Sequence, residues 1–196
     1  MRPKPRRLTP RSSSFASPHG GSRYNLSMVI SISTAPETGA PTIRHQSIEA
    51  IAGKGLEGDR YATGKGFYTG VIEWDAHLTL MEEEPFTSLA TSHGVEIDPN
   101  ILRRNIVTRG TDLRSLIGRE FQVGERAVFR GRKAWPPCSH IVKLSGRKEI
   151  FQYLAEQTGI GADVLVGGPI KVGDEIRLFA AERSAHQVRS GPGSLP

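Results

Sequence analysis

Cysteine, long apolar runs and N-terminal acids are scarce in this sequence of 196 residues. The only cysteine is Cys138, so a single chain can form neither an internal disulfide nor a four-cysteine zinc or iron–sulfur site. No apolar run approaches the roughly 20 residues that a membrane-spanning helix needs, so we expect no membrane partner. The N-terminal segment also lacks the apolar stretch of a signal peptide, which predicts cytoplasmic residence.

Positive charge is concentrated at the N-terminus. Residues 1–30 contain six Lys or Arg and no acid, and these account for the formal net charge of +6. Residues 31–196 hold 20 Lys or Arg and 20 Asp or Glu and are therefore neutral overall. This distribution does not support a basic domain face for phosphate backbones, so we expect no nucleic-acid partner.

Both ends of the chain differ in composition from its middle. Residues 1–27 are rich in Arg, Ser, Pro and Gly, which predicts a disordered basic tail or a mis-assigned start, with Met28 as the natural first residue. A transit peptide is a third interpretation, although four prolines would break its amphipathic helix. Residues 182–196 predict a disordered C-terminal tail, which leaves residues 28–181 as the folded domain.

The middle of the chain predicts short strands and few helices. Its 22 glycines and 13 prolines favour frequent turns. The expected helices cover 82–93 and 147–158, and Asp112 is expected to cap a short turn. We expect a mainly β domain that closes, or partly closes, into a barrel. The predicted strands cover 28–33, 43–52, 77–81, 104–108, 119–124, 126–134, 163–166 and 174–179.

A glycine-rich segment follows the second predicted strand. Residues 53–58 match the letters of a dinucleotide-binding fingerprint, but a second glycine-rich loop follows where that motif requires a helix. The whole segment 53–70 is predicted to be a long loop without secondary structure, which favours a functional or a disordered segment. Arg60 can bind a phosphate with Asp59 holding its guanidinium, or the two form a solvated surface pair.

Cys138 follows two prolines, which restrict the backbone and prevent the thiol from lying within a strand ladder. A lone cysteine is often a small buried apolar residue. Neighbouring cations, His140 among them, would instead favour a thiolate that acts as a nucleophile, a sulfur carrier or a metal ligand. A cysteine protease would also need a histidine and an orienting residue, which the sequence does not place in space.

The ordered motifs of residues 28–180 resemble a stand-alone MOSC domain of the short type, named after the C-terminal part of molybdenum-cofactor sulfurase. The resemblance implies a MOSC-type β-barrel and a molybdenum cofactor, molybdopterin. The motifs that carry it are Gly55-Leu56-Glu57-Gly58-Asp59-Arg60-Tyr61, His77-Leu78-Thr79-Leu80, Leu102-Arg103-Arg104-Asn105-Ile106-Val107-Thr108, Asp112-Leu113, Val123-Gly124-Glu125, Pro137-Cys138 and Gly167-Gly168-Pro169-Ile170.

By the same resemblance, Cys138 is the catalytic residue and the protein ligand to molybdenum, or it carries a sulfur atom. The implied activity is reduction of small N-hydroxylated compounds, with a separate electron-transfer protein as partner. The alternative is a sulfur carrier or cofactor-binding module whose Cys138 accepts a persulfide from a cysteine desulfurase-type donor. Pyridoxal phosphate binding is a further analogy within the family. The implied cofactor-binding residues are Gly58, Asp59, Arg60, Arg104, Asn105, Thr108 and His140.

The chain departs from the family pattern in two places. Ala76-His77 stands where relatives usually carry an Arg-Gln or similar pair, so the substrate-side lining is expected to differ. The additional N-terminal β-barrel domain of larger relatives is not encoded in residues 1–27.

Overall fold

A computed structural model describes residues 26–71, 76–155 and 159–179. The predictions for 1–27 and 182–196 fall outside these ranges, apart from residues 26 and 27. No helix within the described ranges is long and apolar enough to span a membrane. The strands are Met28–Thr34 (β1), Ile43–His45 (β2), Ser47–Ile51 (β3), Gly55–Leu56 (β4), Leu78–Glu82 (β5), Ile106–Arg109 (β6), Glu120–Val123 (β7), Ala127–Ala134 (β8), Ile160–Val166 (β9), Gly168–Lys171 (β10) and Ile176–Leu178 (β11). The helices are Glu84–His93 (α1), Ser139–Ser145 (α2) and Glu149–Leu154 (α3), with 3₁₀ helices at Pro99–Leu102 and Leu113–Leu116.

Eight strands form one curled sheet in the order β11-β7-β8-β9-β5-β6-β1-β2. Its β11 end returns to β1, where Met28 bridges Glu175 and the Val29 amide donates to the Asp174 carbonyl at 2.9 Å. A second sheet of three strands has the order β10-β3-β4. The expectation of a mainly β, partly closed barrel is therefore confirmed, and the sheet stops short of full closure because β2 lies beyond β1.

Two hydrophobic clusters stabilise this arrangement. Buried residues alternate along β7 and β8 and fill the barrel interior, where the rings of Phe121 and Phe129 meet edge to face at 5.8 Å. A second cluster includes Met81 of β5, Phe86 of α1 and Ile150 of α3. Cys138 packs against this second cluster, so one side of its side chain is anchored in apolar surroundings.

Most predicted elements are present, with shifted boundaries. The predicted strand 43–52 divides at Gln46 into β2 and β3, and the predicted helix 82–93 begins two residues later because Glu82 still belongs to β5. The prediction that segment 53–70 lacks secondary structure was wrong at β4, which pairs with β3. Strand β10 and helix α2 were not predicted. The capping role of Asp112 is confirmed, since its side chain accepts a hydrogen bond from the Ser115 amide.

Candidate functional site

A cavity of about 230 Å³ opens where three segments of the chain converge. These segments are the glycine-rich loop after β4, the residues that follow the 3₁₀ helix Pro99–Leu102, and the diproline segment between β8 and α2. The loop contributes Arg60, the second segment contributes Arg103 and Arg104, and the third contributes Cys138 and His140. The cavity therefore combines three guanidinium groups with one thiol.

Cys138 reaches the cavity because the diproline ends β8 and turns the chain into α2. Pro137 is buried, whereas Cys138 is half-buried and occupies the position just before α2 in an extended conformation. The amide of Ile141 donates to the Cys138 carbonyl at 3.1 Å, so the backbone on both sides of the thiol is fixed. The thiol is thus neither sealed among aliphatic side chains nor fully exposed.

The hydroxyl of Tyr68 forms a hydrogen bond with the Cys138 thiol. The pKa of Tyr68 is raised to about 12, chiefly because burial disfavours the phenolate and then because of this hydrogen bond. The Tyr68 hydroxyl therefore keeps its proton at neutral pH and can act as a donor beside the sulfur.

Arg60 is held by a buried carboxylate. Asp59 is fully buried, and its Oδ2 atom accepts hydrogen bonds from Arg60 Nη1 at 3.1 Å and from the Ala35 amide at 3.0 Å. The preceding Gly58 has a φ of +69°, a left-handed conformation that turns the chain into this pair. The Arg60 guanidinium also lies 4.7 Å from the centroid of the Tyr61 ring. Sequence reasoning placed Asp59 and Arg60 together, and the structure shows this pair buried.

Arg104 fixes the diproline segment. Its Nη2 donates to the carbonyl oxygens of Trp135 at 2.7 Å and Pro136 at 3.1 Å. Burial lowers the pKa of Arg104 to about 10, which still leaves it protonated at neutral pH. Arg104 therefore supports the backbone that presents Cys138.

Arg103 was not singled out from the sequence, although it lines the cavity. Among the described residues it is the one non-glycine residue with a positive φ, +55°. Its Nη1 donates to the Ala40 carbonyl, whereas its buried Nη2 has no hydrogen-bond partner within the described ranges. Burial and then the nearby charge of Arg60 lower the pKa of Arg103. These features depend on the folded backbone, so no sequence signal separates Arg103 from Arg104.

Aromatic rings form the remaining wall of the cavity, and sequence reasoning did not assign them. Phe67 stacks on the His140 ring with centroids 4.5 Å apart and planes 14° apart. Tyr68 meets Trp135 edge to face at 6.4 Å. Trp135 lies directly before the diproline, and Phe67-Tyr68 lies in the glycine-rich loop, so aromatic residues beside those motifs were the available signal.

Four predicted site residues do not line the cavity. Gly58 and Asp59 lie behind Arg60, as described above. Asn105 Oδ1 accepts from the amide and the hydroxyl of Thr79, both at 3.0 Å, and Thr108 donates to the Met81 carbonyl. Both Asn105 and Thr108 are buried between β5 and β6, where their polar groups join backbone strands. The other four, Arg60, Arg104, Cys138 and His140, are brought together at the cavity.

His77 is likewise absent from the cavity lining. Its Nδ1 accepts a hydrogen bond from the Val164 amide at 3.0 Å, which ties the start of β5 to β9. No group of three or more His, Cys, Asp or Glu side chains that can hold a metal ion occurs in the part of the chain described.

The fold and the site define a class of protein, a partly closed β-barrel with a cavity lined by one cysteine and three arginines. The model of the MOSC domain family matches residues 53–177. The chain therefore belongs to the MOSC domain family, which is associated with molybdenum cofactor binding.

Solved structures share this fold. The YuaD protein from Bacillus subtilis superposes with a TM-score of 0.63 at 18% identity, over 80% of this chain and 98% of that one. YiiM from Geobacillus stearothermophilus superposes with a TM-score of 0.54 at 14% identity, over 81% of this chain and 78% of that one. YiiM from Escherichia coli gives 0.53 at 17% identity, over 78% and 70%. No curated protein matches the chain.

Proposed function

We propose that this protein binds a molybdenum cofactor in the cavity and reduces N-hydroxylated compounds, with Cys138 as the protein ligand to molybdenum. The observation that carries the proposal is the position of the Cys138 thiol, half-buried in a cavity walled by Arg60, Arg103 and Arg104. A molybdopterin presents soft sulfur ligands around its metal and a phosphate at its other end. A thiolate and cationic donors are the side chains that suit these two ends.

The donor set fits this cofactor better than it fits a bare metal ion. The described residues hold no cluster of three metal-ligating side chains, so the remaining ligands must come from the bound group itself. The cavity of about 230 Å³ is smaller than pockets that enclose whole drug-sized ligands, which span about 300–1,000 Å³. We therefore expect it to enclose part of the cofactor and leave a side open to substrate.

Pyridoxal phosphate fits less well. No lysine occurs among the described residues that line the cavity, and lysine is the residue that forms a Schiff base with this cofactor. We make no proposal for it.

Reduction of an N-hydroxylated compound consumes two electrons and two protons and releases an amine and water. The cofactor, when bound, supplies the redox chemistry. Arg104 holds the backbone before Cys138, and Tyr68 donates a hydrogen bond to the sulfur. The His140 imidazole lines the cavity and can pass protons to a bound substrate. A separate electron-transfer protein is proposed as the partner that supplies the electrons.

The half-exposed thiol also favours a second candidate, a sulfur carrier. A cysteine desulfurase-type donor can transfer a sulfur atom to a thiol that is reachable from solvent, and Cys138 is reachable through the cavity. The product is a persulfide on Cys138, which adds about 32 Da to the chain as one extra sulfur atom.

Metal analysis and native mass spectrometry separate the two candidates. The protein should be expressed in a host that makes the cofactor, and about one molybdenum per chain is expected in the wild type and none in Cys138→Ala. Ser139→Ala is the matched control, because this neighbouring residue is exposed and does not line the cavity. A persulfide without metal would favour the sulfur carrier.

Activity provides the second half of the test. Holo-protein supplied with a viologen donor should reduce members of a panel of hydroxylaminopurines and amidoximes, and Cys138→Ala should not. If the molybdenum-loaded wild type leaves the whole panel untouched, the reductase proposal is wrong.

A further inference from the structure

The three arginines of the cavity differ in what they already bind. Arg60 donates from Nη1 to Asp59 and from Nη2 to the Arg103 carbonyl, at 3.1 Å each. Arg104 donates from Nη2 to two backbone carbonyls of the diproline segment. Arg103 Nη2 is buried and has no hydrogen-bond partner among the described residues. A buried donor of this kind is expensive unless a ligand satisfies it.

The backbone of Arg103 points the same way. A φ of +55° is a conformation that glycine or asparagine adopts more easily, so an arginine here sacrifices stability for its side chain. Local charge adds a third observation. Three guanidinium groups line the cavity, and within the described ranges the one carboxylate paired with them is Asp59. This excess of positive charge favours a bound anion.

We propose that Arg103 is the anion anchor of the cavity, and that the anion is a phosphate monoester. The inference rests on the proposed function, and it goes beyond it by assigning phosphate recognition to a residue outside the cofactor-binding set predicted from the sequence. The phosphate can belong to the cofactor or to a phosphorylated substrate. Arg60 and Arg104 then serve as positioning residues, which hold the walls on either side of the anchor.

Titration calorimetry on the full-length, metal-free protein tests the anchor, with inorganic phosphate and phenyl phosphate as probes at low ionic strength. Arg103→Asn removes the charge while tolerating the left-handed backbone, and we expect its affinity for phenyl phosphate to fall about 10-fold or more. Arg103→Lys keeps the charge but not the fork, and should lie between that variant and the wild type. Arg119→Asn is the matched control, because Arg119 is exposed and distant from the lining, and it should bind within about two-fold of the wild type.

The proposal is overturned if the wild type binds neither probe, or if Arg103→Asn and Arg119→Asn weaken binding equally. Thermal unfolding of each variant verifies that it is folded, and if Arg103→Asn is not, Arg103→Lys alone decides by its loss against Arg119→Asn. The two phosphate sources are separated on molybdenum-loaded protein. Loss of free phosphate binding on loading means that the cofactor fills the anchor, and retained binding assigns it to the substrate. A protein that binds phosphate through Arg103 but never acquires molybdenum would contradict the proposed function and leave the anchor standing.

Discussion

The buried pair of Asp59 and Arg60 is the clearest single-residue determinant of the site. Their side chains are 1% and 8% exposed, and the Asp59 carboxylate also accepts the amides of Ala35 and Tyr61. Asp59→Ala removes one partner of a buried ion pair and leaves Arg60 uncompensated. We expect the free energy of unfolding to fall by about 3 kcal/mol or more, measured by urea denaturation.

The control for this prediction is Glu120→Ala, which breaks the exposed pair of Glu120 with Arg130. An exposed pair contributes about 0–1 kcal/mol, so this variant should unfold close to the wild type. Equal losses in the two variants would mean that burial does not strengthen the Asp59–Arg60 pair.

Tyr68 gives a prediction on pH. Its pKa is raised from 10.0 to about 12, so the folded protein retains a proton that the unfolded chain loses near pH 10. This contribution to stability is fully present below pH 10 and is lost as the pH rises through about 12. A titration of tyrosinate absorbance should show a late component that Tyr68→Phe removes. Cys138→Ala should move this component toward pH 10, because the hydrogen bond and the charge of Cys138 both raise the Tyr68 pKa. An unchanged titration in Cys138→Ala would contradict the contact.

The amino-acid sequence reveals some site residues and conceals others for a physical reason. Cys138 stands out because it is the only cysteine and follows two prolines, which limit where its side chain can point. Arg103 does not stand out, because its left-handed backbone and unpaired Nη2 arise only in the folded chain. Asn105 suits a cofactor donor by its chemistry, but the fold uses its amide to join β5 to the Ser33 carbonyl of β1.

At the scale of elements, one glycine connects the cavity wall to the sheet. Gly159 precedes β9 with a φ of +83°, its carbonyl accepts from the Trp135 amide, and a Cβ placed on it would lie 1.8 Å from the Leu80 carbonyl oxygen. Gly159→Ala therefore combines backbone strain with a clash against β5. We expect it to lower the free energy of unfolding by about 2–4 kcal/mol, measured by denaturant titration.

Gly118→Ala is the matched control. Gly118 has a similar φ of +79°, but nothing lies within 4 Å of its added Cβ. Strain alone should cost about 1 kcal/mol there, so the difference between the variants isolates the clash. A Gly159→Ala protein as stable as Gly118→Ala would show that β5 moves aside at little cost.

Elements with a strong local pattern could be predicted from the sequence, and those that depend on tertiary pairing could not. β8 alternates buried and exposed residues along most of its length, which is the pattern of a half-buried strand. β10 contains Pro169, which argues against a strand, and it is tolerated because β10 is an edge strand paired with β3 alone. β4 has two residues within a glycine-rich loop and forms only by pairing with β3.

At the scale of the whole molecule, the cavity lies where the strand framework meets the helical cluster. β8 and the diproline bring Trp135 to one side, while the cluster beneath α1–α3 supports Cys138 from the other. The glycine-rich loop then closes the cavity with Arg60, which contacts the Arg103 backbone. The site therefore needs the complete domain, since its three segments are distant in sequence.

Charge is divided between the N-terminal segment and the rest of the chain, which yields a last prediction. Residues 1–25 carry six Lys or Arg and no acid, whereas residues 26–196 hold 20 of each sign. Any non-specific affinity for DNA should depend on residues 1–25 and fall steeply with salt, because it releases counterions from the phosphate backbone. Binding of phenyl phosphate in the cavity should depend on Arg103 instead. A variant that lacks residues 1–25 should lose DNA retention in a filter-binding assay while its phenyl phosphate affinity and unfolding temperature stay within error of the full chain. Strong DNA retention by this shortened variant would place a basic surface on the domain itself, which its neutral composition argues against.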